Sequence, residues 1–169
     1  GYTLAYDRRD SRTFPLNGAY ADLGLNRYGF GANSPNMTTV TASLQRSWKL
    51  GGRWSVGVGL HGKATVGGDA PYFVQEGLGY GQYVRGYEYY IIDGQHFFLG
   101  KANLLFALLR PRDYRVESIP WESFRTLHLA VYLDAFTDQG YVWDDRYAAQ
   151  NFLANTWERG YGLGVDMVT

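Results

Sequence analysis

The residues of this sequence that could do chemistry are few and mostly scattered. His61, His96 and His128 show no close-spaced ligand pattern, so they do not assemble a metal site. No nucleophile, base and orienting group stand in a recognisable arrangement, and Asp7, Asp10, Asp144 and Asp145 read as solvated carboxylates rather than catalytic ones. Gly57-Val58-Gly59-Leu60-His61-Gly62 matches a dinucleotide-binding fingerprint by its letters. That fingerprint has meaning only between a strand and a helix N-terminus, and here it lies inside an alternating run, where glycines on one crowded face of a strand explain it better. What remains is Gly79 to Gln95, with Val84, Arg85, Gly86 and Tyr87 at its centre. Long loops in compact proteins are usually functional or disordered. Tyr80, Tyr83, Tyr87, Tyr89, Tyr90, Ile91 and Ile92 give this one more aromatic and branched surface than an unpacked segment keeps, so it should be packed against something.

Composition bounds what that something is. At 169 residues the chain has the length of one domain. Its 16 basic and 16 acidic residues balance, which argues against a nucleic-acid partner, for which a basic stripe is expected. The absence of cysteine excludes a disulfide framework and thiolate metal sites. No run approaches the roughly 18 apolar residues of a membrane-spanning helix, but a spanning strand needs only about 10 residues with every second one apolar. No signal peptide opens the chain at Gly1, so the expectation is that it was removed or that the chain is an internal piece of something longer.

The elements that must position the loop are strands. Tyr2, Leu4 and Tyr6 alternate with Thr3, Ala5 and Asp7, and after a turn over Arg8 to Asn17 the pattern resumes as Ala19, Ala21, Leu23 and Leu25. Tyr28 to Asn36 reads as a loop. Val40, Ala42, Leu44, Trp48 and Leu50 form an apolar face broken only by Arg46; after Gly51-Gly52 the pattern restarts as Trp54, Val56, Val58 and Leu60, which reads as a β-hairpin. Beyond a long loop from Ala64 to Gln95, Ala102, Leu104, Phe106 and Leu108 oppose Lys101, Asn103, Leu105 and Ala107. Arg110 to Arg125 reads as a linker containing Pro111 and Pro120. Leu127, Leu129, Val131, Leu133 and Ala135 then alternate with His128, Ala130, Tyr132, Asp134, Phe136 and Asp138. Gly140 to Glu158 reads as loop, and Tyr161, Leu163, Val165 and Met167 close the chain against Gly160, Gly162, Gly164 and Asp166.

Seven strands, several near 10 residues long, with no amphipathic helix depart from the usual domain, where about a third of residues are helical and strands run about 5 to 6 residues. One face of each strand is nearly uninterrupted apolar; the other carries small hydroxyls, glycines and a few charges. A soluble barrel puts its apolar set inside, whereas this polar set has the composition of a lumen, which predicts an antiparallel up-and-down transmembrane barrel. Connections after the second, fourth and sixth strands include the two longest, as extracellular loops do, and those after the odd strands would be periplasmic. Trp48, Trp54, Tyr2, Tyr6 and Tyr161 suit the aromatic girdles of such a barrel.

Val84-Arg85-Gly86-Tyr87 in the long loop, Tyr6-Asp7-Arg8-Arg9-Asp10 with Phe14-Pro15 and Gly18, and Asp138-Gln139-Gly140-Tyr141-Val142-Trp143-Asp144 together resemble the C-terminal barrel of BamA-type outer-membrane assembly factors, the bacterial surface antigen family. The resemblance covers essentially all 169 residues and implies seven strands of a sixteen-stranded barrel, with periplasmic domains and the first and last strands lying elsewhere. In that family the Arg-Gly-aromatic loop folds from outside back into the lumen. There Arg85 would need a partner, because an unpaired buried charge is costly; Asp138, on the lumenal parity of its strand, is the first candidate and Asp134 the second. Pinning the loop is a sufficient role for the pair. Where the family's strand after the loop often places a lumenal carboxylate that meets the loop arginine, this sequence has Leu105.

What the resemblance implies for function is a non-enzymatic insertase or translocase of the bacterial outer membrane, working without cofactor on unfolded outer-membrane protein clients, in contact with outer-membrane lipid and accessory subunits of an assembly complex. Two other readings stay open: the barrel anchor of a fused patatin-like phospholipase, which an upstream Gly-x-Ser-x-Gly segment would identify, and a passive porin or structural barrel, which conductance would identify. A bilayer tolerates no open sheet edge, so residues 1 to 169 are expected to be part of one larger barrel domain rather than a complete folding unit.

Overall fold

The structure, a computed structural model, describes residues 1–29, 36–67, 71–115, 126–146 and 148–169. It is all-β, with nine strands and no α-helix among the described residues. These are β1 (Tyr2–Asp7), β2 (Gly18–Tyr28), β3 (Met37–Gly51), β4 (Trp54–Val66), the short β5 (Glu76–Leu78) and β6 (Ile92–Asp93), then β7 (His96–Arg115), β8 (Thr126–Trp143) and β9 (Trp157–Val168). The seven long strands form one antiparallel sheet in the order β1-β2-β3-β4-β7-β8-β9. The sheet is open, with β1 and β9 as its edges.

Three expected boundaries shift. The β3–β4 turn pairs Gly51 with Trp54 across a bulge between Lys49 and Gly51, so its tip is Gly52-Arg53 rather than Gly51-Gly52. The supposed linker from Arg110 is strand as far as Arg115, because Pro111, which cannot donate to a ladder, sits in the register irregularity between Leu109 and Arg112. The remainder of that linker, 116–125, lies outside the described residues, as do 30–35 of the expected Tyr28 to Asn36 loop. β8 likewise runs on to Trp143, shortening the loop expected from Gly140. Beyond Phe106 on β7 and Ala130 on β8, neither β4 nor β9 accompanies the pair, which continues as a two-stranded ribbon.

Because side chains alternate across a strand, the sheet has two unlike faces, and the chain covers only one of them. Thr39, Ser47, Ser55, Lys63, Thr65, Asp134 and Asp138 are buried under chain segments folded back across the polar face. The apolar face is bare: Leu44, Trp54, Leu60, Leu104, Leu133 and Leu163 are exposed, Leu163 to 85%. Arg46, which interrupts that face on β3, lies over the Trp48 ring with its guanidinium carbon 5.6 Å from the centroid.

Candidate functional site

Two segments close over the polar face, and the larger is the loop between β4 and β7. Its stem is the β5–β6 pair, and its apolar side chains Leu78, Val84 and Ile92 form a buried cluster with Leu99 of β7, Val142 of β8 and Ala154, against which Tyr87 also packs. These residues explain the loop's aromatic and branched composition. Val84 to Tyr87 is a tight turn closed by the Tyr87 N–H donating to the Val84 carbonyl at 2.9 Å. Gly86 takes φ +98° there, a conformation that side-chain-bearing residues rarely adopt.

The turn presents Arg85 to the sheet. Its Nη2 donates to Asp138 Oδ1 at 2.6 Å and its Nε to Asp138 Oδ2 at 2.8 Å, while its own backbone N–H reaches the same Oδ2 at 3.1 Å. Nη1 donates to Asp134 Oδ2 at 3.2 Å and Nη2 also to Asn103 Oδ1 at 2.7 Å. The guanidinium carbon lies 3.8 Å from the centroid of the Phe136 ring, a cation–π contact strengthened by desolvation. Lys101 Nζ stands 3.8 Å from Asp138 Oδ2 and 4.7 Å from the Tyr83 centroid. Asp138 is fully buried and Asp134 nearly so, while the Arg85 and Lys101 side chains each keep 24% of their surface exposed, so two cations and two carboxylates balance at the margin of the covered region. Burial alone would pull the Arg85 guanidinium down, but the hydrogen bond to Asp138, followed by the charges of Asp138 and Asp134, outweighs it and raises the pKa above its ordinary value.

The structure thus brings Arg85 onto Asp138 and Asp134, with Val84, Gly86 and Tyr87 forming the turn that presents it. Three partners were not singled out from sequence: Asn103, Phe136 and Lys101. Parity could have found them, because each lies on the polar face of its strand. Asn103 adds a neutral amide oxygen to the two carboxylates that accept from Arg85, and Leu105 makes no hydrogen bond or ion pair with it. Glycines complete the seat. A Cβ at Gly160 would stand 2.1 Å from the Arg85 carbonyl oxygen, and one at Gly140 2.7 Å from Val84 Cγ2. β8 and β9 therefore admit the turn only because both positions lack a side chain.

A second anchor works with reversed polarity. Lys63, buried on β4, donates from Nζ to the Val74 and Glu76 carbonyls, each at 2.5 Å, so the wall supplies the cation and the loop the acceptors. On the loop's outer side Tyr80 and Tyr72 donate to Asp93 at 2.5 and 3.1 Å, and that hydrogen bond raises the pKa of both phenols.

Of the carboxylates expected to be solvated, Asp7, Asp10 and Asp145 are exposed, and only Asp144 departs from that expectation. Asp144 is fully buried, accepting from Gln95 Nε2 and the Arg146 N–H, each at 2.9 Å. Asp7 pairs with Arg9 at 2.8 Å, and Asp10 accepts from the Leu16 N–H at 3.0 Å. Gly57 to Gly62 lies wholly within β4. Asp138 receives three donors from Arg85, which ties the loop to β8. No protein family, curated protein or solved structure matches this chain.

Proposed function

We propose that the chain is part of a transmembrane β-barrel of the BamA-type outer-membrane assembly family, and that it serves protein insertion or translocation without covalent chemistry. The observation that carries this reading is the inverted sheet, polar where the chain covers it and apolar where it does not. A bare apolar face on long antiparallel strands suits lipid, and the covered face suits a lumen occupied by a latched Arg-Gly-Tyr loop. The reading requires further strands to pair with β1 and β9, since unpaired backbone groups are not tolerated in hydrocarbon. Insertion would proceed at a seam between strands outside this sheet, where exposed backbone donors and acceptors template an incoming strand by β-augmentation. The loop occupying the covered face disfavours a passive porin.

Proteoliposomes carrying the intact protein should accelerate the folding of an unfolded outer-membrane barrel client relative to empty liposomes. Equal rates would sink the assembly reading. The barrel itself is tested separately with nitroxide labels at Val131 and Tyr132, neighbours on opposite faces of β8. Val131 should be the more accessible to a lipid-soluble relaxant, and the opposite ranking would reverse the assignment of faces. Arginine at Val56 or Val131 should cost roughly 2 to 4 kcal/mol near the bilayer midplane, read as a lower unfolding midpoint in lipid.

A further inference from the structure

The second segment on the covered face is the turn between β1 and β2, residues 8–17. We infer that this turn is a second closure of the lumen, set on the side opposite the Arg85 loop, and that a passage opens only when both segments move. The inference rests on the barrel reading above.

The turn does not stay beside its own strands. Phe14 and Leu16 pack against buried Leu105, Ala107, Ala130 and Tyr132, which belong to β7 and β8. β3 and β4 lie between those strands and β2 in the sheet, so the turn reaches across the covered face. The Phe14 and Tyr132 rings stand 4.9 Å apart. Two other buried apolar wall residues, Leu99 and Val142, lie under the Arg85 loop, and these four lie under the turn. Leu105, the departure from the family pattern, is one of them: its side chain serves the turn rather than the loop arginine.

The turn is braced in that position. The Asp10 N–H donates to the Asn17 carbonyl at 2.9 Å, Asp10 Oδ1 accepts from the Leu16 N–H, and Ser11 Oγ accepts from the Phe14 N–H at 3.2 Å. Arg9 forks onto both oxygens of Asp7, donates to Gln45 Oε1 at 3.1 Å, and holds its guanidinium carbon 4.5 Å from the Tyr20 centroid. Between the two segments lies a polar cavity of about 250 Å³, lined by Phe14 and Pro15 of the turn and by Arg85 of the loop, with Gln45, His61 and Asp134 on its walls. A space of that size holds several waters, with the apolar contact of the turn on one side of it and the ion pair of the loop on the other.

Two readouts on the intact protein test this. In planar bilayers, Arg85→Ala alone and the pair Phe14→Ala with Leu16→Ala alone should each leave conductance near the parent level, whereas all three substitutions together should raise it about tenfold or more, as local opening no longer has to break either closure. Conductance as large with Arg85→Ala alone as with all three overturns the inference. Independently, Ala130→Cys in this cysteine-free stretch reports whether the turn covers the wall. A water-soluble maleimide should react with it about tenfold faster or more once Phe14 and Leu16 are truncated, whether or not Arg85 is present. If the truncated pair does not fold, Phe14→Ser against Phe14→Leu should show the same contrast at smaller amplitude. Equal labelling in each comparison overturns the inference. A protein that fails to enter bilayers while the labelling contrast holds refutes the barrel reading and leaves the covering turn established.

Discussion

Arg85→Ala should release the tip of the loop from the sheet, at a loss of about 3 to 5 kcal/mol, because it strands Asp138 in a fully buried position with only Lys101 at 3.8 Å in partial compensation. Chemical denaturation gives the magnitude, and limited proteolysis between Gly79 and Gln95 gives the place. Arg85→Lys should recover little, since a single ammonium cannot meet Asp138 in a bidentate fork while also reaching Asp134 and Asn103. Asp138→Ala should cost a comparable amount, and the double substitution clearly less than the sum of the two singles, as residues in one network couple. A loss below about 0.5 kcal/mol for Arg85→Ala, the range of ordinary surface changes, would mean that the loop is held by its apolar cluster alone.

Gly160→Ala should undock the same turn without touching a charge. The added Cβ would lie 2.1 Å from a backbone oxygen, that of Arg85, with no flexible side-chain end to swing aside. Overpacking of this kind typically costs 1 to 3 kcal/mol, and here relief requires lifting the turn and stretching the contacts to Asp138. Gly164→Ala is the control on the same strand: its Cβ would meet nothing nearer than Asp134 Cβ at 3.9 Å. Hydrogen exchange at the amides of Arg85 and Tyr87, which donate to Asp138 and to the Val84 carbonyl, should quicken in the first variant and not in the second. Equal exchange in both would show that the close approach at Gly160 is not what seats the loop.

Strand content and facing were legible because both are local. Period-two alternation identifies each long strand and sorts Asp134, Asp138, Asn103 and Lys101 onto one side before any partner is known. What alternation cannot see is contact between segments distant in the chain. The β5–β6 stem is too short to display a period, Lys63 is one polar-face residue among several until the Val74 and Glu76 carbonyls arrive above it, and Phe14 belongs to a turn whose neighbours in the sequence say nothing of Tyr132. Pro111 misled for a different reason. A proline usually ends a strand, but at a ladder irregularity its missing N–H has no bond to lose. Asp144 read as solvated because a short acidic run normally is; its burial follows from Gln95 and Asn155, which arrive from two other places in the chain.

The unaccompanied ribbon at the end of β7 and β8 bears on reach. β7 has 20 residues, which at about 3.3 Å each extend roughly 65 Å. The apolar band of an outer-membrane barrel is about 25 Å tall, and a strand tilted by about 40° crosses it in some 10 residues. In such a membrane the unaccompanied ribbon, residues 107–115 of β7 with 126–129 of β8, would stand clear of the lipid as a stalk. The stalk is continuous with β8, the strand that carries Asp134 and Asp138. A protein that grips it from the aqueous side would therefore pull along the backbone that holds the carboxylate end of the Arg85 contact, a lever with its load arm outside the membrane and its working point at the buried ion pair.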